Sequence, residues 1–185
     1  MSETLIEKGT LLDADQMRRI VRRMAGEIVE RNAGVEDLML VGIRTRGVPL
    51  AEALAEEIQT MEGAEVPLGT LDITLYRDDL STIAPQPVVK GTHFPVDLED
   101  RHIVLCDDVL YTGRTVRAAL DHLADYGRPK AVWLAVLIDR GHRELPIQGD
   151  VVGETVQTSD LEVIEVSFLK TDGSERVRLL ERTVS

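Results

Sequence analysis

The sequence predicts an α/β protein built on a mainly parallel twisted sheet flanked by helices, and three observations carry that expectation. Continuous apolar runs at 38–43, 103–106 and 131–138 read as strands buried on both faces. Segments with apolar residues at helical spacing lie between them, and this alternation gives a sheet covered on both sides. The first two runs pass into polar, glycine-containing turns before the next helix, where open α/β sheets bind their ligands. At 185 residues, a single domain over 1–185 with a full-sized core is expected.

Taken in order, Asp13 and Gln16 match a capping box, and Met17, Ile20, Val21, Met24 and Ile28 then recur at helical spacing until Gly34 closes a first helix. Residues 38–43 form the first strand. Gly47, Val48 and Pro49 open a second helix with Leu50, Leu54 and Ile58 turned inward. Residues 71–76 alternate like a strand. The stretch 78–93 is polar, interrupted by proline and without periodicity; loops of this length in compact domains commonly act as lids over a ligand. After the strand at 103–106, Val116, Ala119, Leu120 and Leu123 mark a third helix ending near Gly127, and 131–138 form another buried strand. Residues 163–169 and 176–180 alternate around Lys170, Thr171, Asp172 and Gly173, where Asp-Gly signals a tight C-terminal β-hairpin. The chain has no internal repeat or low-complexity tract.

Composition narrows the function classes. A net charge of -12 opposes general attraction to nucleic acid, so any RNA site must be local. Aromatic residues make up 3% of the chain, too few for a base-stacking platform. The longest apolar run, 131–138, is well short of the roughly 20 residues of a membrane span, and the polar start has no secretory core, so a cytoplasmic location is expected. Cys106 is the single cysteine and reads as a small core residue. The histidines at 93, 102, 122 and 142 have no metal-binding spacing, and no Gly-x-Ser-x-Gly elbow occurs.

The most informative run is Ile103-Val-Leu-Cys-Asp-Asp-Val-Leu-Tyr-Thr-Gly-Arg-Thr115. Asp107 and Asp108 end the apolar run with acceptors only, which suits the two neighbouring hydroxyls of a ribose. Thr112, Gly113, Arg114 and Thr115 then offer hydroxyls, exposed backbone N–H groups and the positive end of a helix, all suited to a phosphate dianion. A second strand-to-helix turn, Gly42-Ile-Arg-Thr-Arg-Gly47, can also bind anions; Val48 and Pro49 stand where a P-loop needs Lys and Ser/Thr, which makes ATP hydrolysis a poor reading.

The run 103–115 is similar to the phosphoribosyl-pyrophosphate (PRPP) motif of the type I phosphoribosyltransferases. Together with residues 42–47, 72–79 and 136–146, it resembles one branch, the bifunctional pyrimidine operon attenuation regulators that are also uracil phosphoribosyltransferases. The resemblance covers residues 10–155 and implies the type I fold with a small hood near 139–165. It implies that Arg44, Thr45, Arg46 and Gly47 form a pyrophosphate loop, that Arg77, Asp78 and Asp79 begin a lid closing over PRPP, and that Asp139, Arg140 and Val152 receive the base. It also implies Mg2+ bound through PRPP rather than by a protein cage, with uracil and PRPP giving UMP and diphosphate. Asp107 and Asp108 are the candidate catalytic carboxylates: Asp108 faces the developing ring cation and Asp107 chiefly holds ribose.

The same resemblance implies a regulator of pyrimidine genes that binds leader mRNA under control of UMP or UTP. With Met17, Ile20, Val21 and Met24 inward, Arg18, Arg19, Arg22 and Arg23 must project outward as like-charge i,i+4 pairs, offset in part by Glu27. These four, with His142 and Arg143, are the candidate RNA contacts, and a homodimer or higher homo-oligomer would join two patches. Two other readings stay open: a purine-type salvage phosphoribosyltransferase without RNA binding, and a catalytically weak nucleotide-sensing RNA regulator.

Overall fold

The computed structural model describes residues 3–74 and 91–184. In chain order these form β1 (Glu3–Leu12), α1 (Ala14–Asn32), β2 (Leu38–Ile43), α2 (Gly47–Glu62), β3 (Leu68–Leu71), β4 (His102–Leu110), α3 (Arg114–Ala124), β5 (Ala131–Asp139), β6 (Val151–Thr155), β7 (Glu162–Ser167), α4 (Leu169–Asp172) and β8 (Arg176–Val184). Five of the strands make a parallel sheet in the order β3-β2-β4-β5-β6. The other three make a small antiparallel sheet in the order β1-β8-β7.

Alternation along the buried strands splits the core into two layers. Leu38, Leu40, Val104, Cys106, Ala135 and Leu137 face α1, α2 and the small sheet. Met39, Val41, Ile43, Ile103, Leu105, Leu134 and Val136 face the other way, onto Val116, Ala119 and Leu123 of α3. Both faces being covered explains why β2 is buried at every position and reads as an unbroken apolar run.

The expected capping box is present: Gln16 N–H donates to the Asp13 carboxylate at 2.8 Å, and the Gln16 side chain accepts from Asp13 N–H at 2.9 Å. The helix ends one residue sooner than expected, because Ala33 takes the left-handed conformation and Gly34 N–H closes on Val29 O at 3.0 Å.

Three expectations are corrected, and one element is added. Of the strand expected at 71–76, residues 75 and 76 lie outside the described residues and 72–74 are not strand; the strand lies at 68–71, where Leu68, Gly69, Thr70 and Leu71 pair in register with Leu40, Val41, Gly42 and Ile43. β4 does not stop at Cys106 but runs on to Leu110, because β5 accompanies it through the pair Leu110 and Asp139. Asp172 and Gly173 do not form a two-residue hairpin turn; a single helical turn intervenes, with Gly173 as its left-handed cap. Residues 3–12, for which the sequence suggested no element, form an edge strand on β8.

The C-terminal hairpin expected from the sequence is present as β7 and β8. The segment 139–165 divides between the two sheets: β6 joins the main sheet beside β5, and the start of β7 joins the small one. The lid residues Arg77, Asp78 and Asp79, with the rest of 75–90, lie outside the described residues. The far end of that stretch does rejoin the fold, since His93 exchanges backbone hydrogen bonds with Thr70 at 2.8 and 2.9 Å.

Candidate functional site

The uneven ends of the central strands create the site. The last pair between β2 and β4 sets Gly42 level with Cys106, so Asp107 and Asp108 follow directly beyond the paired stretch, near the turn by which the chain leaves β2. That turn contains a cis peptide between Arg44 and Thr45 and enters α2 at Gly47. Gly47 is a contact point between α2 and β4: a Cβ there would overlap the Cys106 carbonyl oxygen. Only glycine lets the basic turn lie this close to the acid pair.

Asp108 N–H donates to Asp107 Oδ1 at 2.9 Å, and Val109 N–H donates to Asp108 Oδ1 at 2.8 Å, so both side chains are pinned by the strand that carries them. Burial pushes the Asp108 carboxyl above its usual range, while the Val109 N–H, Asp107 and the Arg46 guanidinium pull the other way. A carboxylate held where water solvates it poorly is primed to stabilise a cation placed beside it.

After Leu110 the chain turns at Tyr111 and Thr112, and Gly113, at φ 92°, caps α3 in a conformation that favours glycine. Ile147 would lie 3.1 Å from a Cβ at Gly113, so the turn is also packed from outside. Thr112 O accepts from Glu144 N–H at 2.9 Å, and Arg114 Nε donates to the Glu144 carboxylate at 2.6 Å. Asp107, residues 109–116 and Arg182 line a cavity of about 440 Å³. Asp107 therefore shares one hollow with the predicted phosphate residues, and Asp108, next along the strand, lies within reach of the Arg46 charge.

The pyrophosphate-loop candidates sit beside it, each arginine already held. Arg44 Nε donates to Gly91 O at 2.9 Å. Arg46 Nη1 donates to both Asp172 oxygens at 2.7 and 2.8 Å, tying the loop to α4. The Arg46 guanidinium and the Phe168 N–H hold the Asp172 carboxyl below its usual range. A depressed carboxylate pKa stabilises the fold above the unfolded value and loses that contribution as pH falls through the folded one. Asp172→Asn should thus cost about 1 kcal/mol or less at pH 7, since Arg46 is 44% exposed and the pair is screened. The difference from wild type should close in acid, as read by thermal unfolding across pH 2–7; a difference independent of pH would refute this account of the pair.

The base candidates lie at two levels of the main sheet. Asp139 and Arg140 do lie at the carboxyl end of β5, but Asp139 accepts from Gly141 N–H at 3.0 Å and from Arg143 at 2.6 Å, so it braces its own loop. Arg140 is buried, donates to Thr158, Ser159 O and Glu162 O, and lies 4.0 Å over the Tyr111 ring. Val152 is not at this edge. It pairs with Val136, whereas Thr155 is the β6 residue level with Asp139, and its side chain joins the α3-side core.

The RNA candidates are exposed on α1 as the periodicity requires, yet the expected like-charge repulsion is largely answered by acids. Arg18 pairs with Asp15 at 2.8 Å, Arg22 with Glu57 at 3.3 Å and Arg23 with Glu27 at 2.6 Å. Arg23 also donates to the carbonyls of Val152 and Gly153, bracing α1 on β6. Arg143 and His142 are similarly engaged: Arg143 holds Asp139 and the carbonyls of Ile147 and Tyr111, and His142 contacts Thr158 O at 2.6 Å. Sequence reasoning missed Asp172 and Arg182, because nothing local to α4 or β8 announces that either residue reaches the site.

A phosphoribosyl transferase domain model matches residues 8–170, and the chain belongs to that family. It is 59% identical over 175 residues to a protein of Pelotomaculum thermopropionicum named Bifunctional protein PyrR, covering 95% of this chain and 97% of the relative. Proteins of the same name from Thermus thermophilus and Deinococcus radiodurans are 58% and 56% identical over 175 and 174 residues, covering 95% and 94% of this chain and 97% and 95% of the relatives. Among solved structures, a Trypanosoma cruzi hypoxanthine phosphoribosyltransferase superposes with a TM-score of 0.72 at 15% identity, covering 96% of this chain and 98% of that one. A hypoxanthine-guanine phosphoribosyltransferase from Bacillus anthracis gives 0.69 at 17%, covering 94% and 98%. These confirm the type I fold. Among the described residues, no helix is long and apolar enough to cross a membrane.

Proposed function

We propose that the protein transfers the phosphoribosyl group of PRPP to uracil, giving UMP and diphosphate, and that it also binds leader mRNA of pyrimidine genes under control of uridine nucleotides. The observation that carries the first part is the hollow that joins Asp107 to the phosphate turn 112–115, with Asp108 next along the strand beside the basic turn 44–47. Uracil N1 bonds to the anomeric carbon as the bond to diphosphate breaks, and the N1 proton passes to solvent. Asp108 would face the ring cation that develops, Asp107 would hold ribose hydroxyls, and Thr112, Gly113, Arg114 and Thr115 would hold the 5′-phosphate. Arg44, Thr45, Arg46 and Gly47 would contact the leaving group.

Bound Mg2+ would neutralise charge on that diphosphate. The cation would be coordinated chiefly by PRPP oxygens and water, in keeping with the reluctance of Mg2+ to dehydrate. The base would be received at the carboxyl end of β5 around Arg140. The test is diphosphate release from PRPP and Mg2+ with each free base: release with uracil supports the reading, and use of hypoxanthine or guanine with uracil ignored would overturn it.

The relatives' name, Bifunctional protein PyrR, supports two activities in one chain. For RNA, Arg19 and Arg22 on the exposed face of α1 are the proposed contacts, joined across a homodimer into a larger basic surface. The Arg19→Glu, Arg22→Glu double variant should lose leader-RNA binding and keep diphosphate release. The salt slope should fall by about 0.7 for each single-strand phosphate that the variant no longer neutralises. RNA affinity unchanged in the double variant would dismiss this surface.

A further inference from the structure

Arg182 reaches the phosphate hollow from the small sheet, far from the PRPP motif in sequence. Its N–H donates to Leu161 O at 2.9 Å, and β8 is held between β1 and β7, so its backbone is fixed on both sides. Its side chain is exposed and, among the described residues, has no hydrogen bond or ion pair. The contrast with neighbouring arginines is clear. Arg178 on the same strand pairs with Glu7 and Glu165, Arg114 donates to Glu144, and the donors of Arg140 are engaged by Thr158, Ser159 and Glu162.

The charge balance of the hollow gives this guanidinium its meaning. Its lining contains one carboxylate, Asp107, against two guanidiniums, Arg114 and Arg182. Hydroxyls of Thr112 and Thr115 and the start of α3, an 11-residue helix, add donors to the same lining. Arg182 also lies close enough to Arg140 for the two positive charges to oppose each other. An anion in this hollow would relieve that repulsion and satisfy a guanidinium that has no partner among the described residues.

We propose that Arg182 binds the 5′-phosphate of the ribose phosphate ligand, closing from the small sheet a cradle that the turn 112–115 opens from the main sheet. The proposal rests on the phosphoribosyl-transfer reading and deepens it: the two ends of the chain pair as β1 and β8 and so deliver a ligand contact. A rigid strand carrying a free guanidinium is well suited to this, because the fork is placed before the ligand arrives.

The test compares UMP with uridine, two ligands that differ by this phosphate, by titration calorimetry on the full chain. Wild type should prefer UMP. Arg182→Gln should weaken UMP about tenfold, the effect of one charge-assisted contact, and leave uridine as it was. Arg182→Lys should recover part of the loss, and in turnover the KM for PRPP should rise more than kcat falls. An unchanged UMP-to-uridine ratio in Arg182→Gln, or equal weakening of both ligands, would overturn the role of Arg182 while diphosphate release by wild type upheld the transferase reading. Wild type that neither prefers UMP nor releases diphosphate would overturn both.

Discussion

Asp108→Asn is expected to lower kcat by about 10²–10³-fold, the usual cost of removing one preorganised electrostatic group, while the Kd for PRPP changes little. The substitution keeps size and an acceptor oxygen for Val109 N–H, so the strand geometry should persist. What disappears is the negative charge beside the ring, which matters most when the ring becomes cationic. Single-turnover diphosphate release and direct PRPP binding separate the two effects. Equal turnover in variant and wild type would remove Asp108 from the mechanism.

The same substitution should make the unliganded protein more stable at neutral pH. Burial raises the Asp108 pKa above its ordinary value of 3.8, so between the two values the folded state holds a proton that the unfolded state has released. A raised carboxylate pKa favours the fold below the unfolded value, and that advantage is lost as pH rises through the folded one. Asn has no charge to desolvate. The stability gap between variant and wild type should therefore open as pH rises from about 4 and be absent in stronger acid, as read by thermal unfolding. A variant less stable than wild type at pH 7 would contradict the desolvation argument. Function and stability pull in opposite directions at this residue, as expected of a group held ready for a transition state.

What could be read from the sequence follows the physical range of the signals. β2, α1 and the acid pair in β4 were legible because burial on both faces, helical spacing and adjacent Asp residues are local patterns. β4 proved longer than its apolar run because pairing with β5, not hydrophobicity, carries a strand through Asp107 and Asp108. β1 was missed because an edge strand with most residues exposed has no apolar face to announce it. Its pairing with β8 joins the two ends of the chain, and no local window contains both. For the same reason Arg182 and Asp172 escaped notice as site neighbours, although each lies against residues the sequence did single out. Register is equally non-local: that Val152 pairs with Val136, and Thr155 with Asp139, follows from the β5–β6 pairing and from no pattern within β6 itself.

Gly47→Ala should harm both stability and catalysis, and the cause is local. The added Cβ would overlap the Cys106 carbonyl oxygen, which is backbone in a central strand and cannot rotate away. Relief requires α2 to retreat from β4. Such overpacking typically costs about 1–3 kcal/mol. Because α2 starts at this residue, its retreat carries Arg44, Thr45 and Arg46 with it, away from the carboxyl end of β4 where Asp107 and Asp108 stand. A displacement of about 1 Å between reacting groups is enough for roughly a 10²-fold loss in rate. Glycine at 42 faces a related limit, since its Cβ would lie 2.5 Å from Val48 Cα, so the turn is held close at both ends. Thermal unfolding and kcat/KM for PRPP provide the readouts. A Gly47→Ala protein with wild-type stability and turnover would show that α2 and β4 tolerate separation, and would leave the closeness of the basic turn to the acid pair without a role in the reaction.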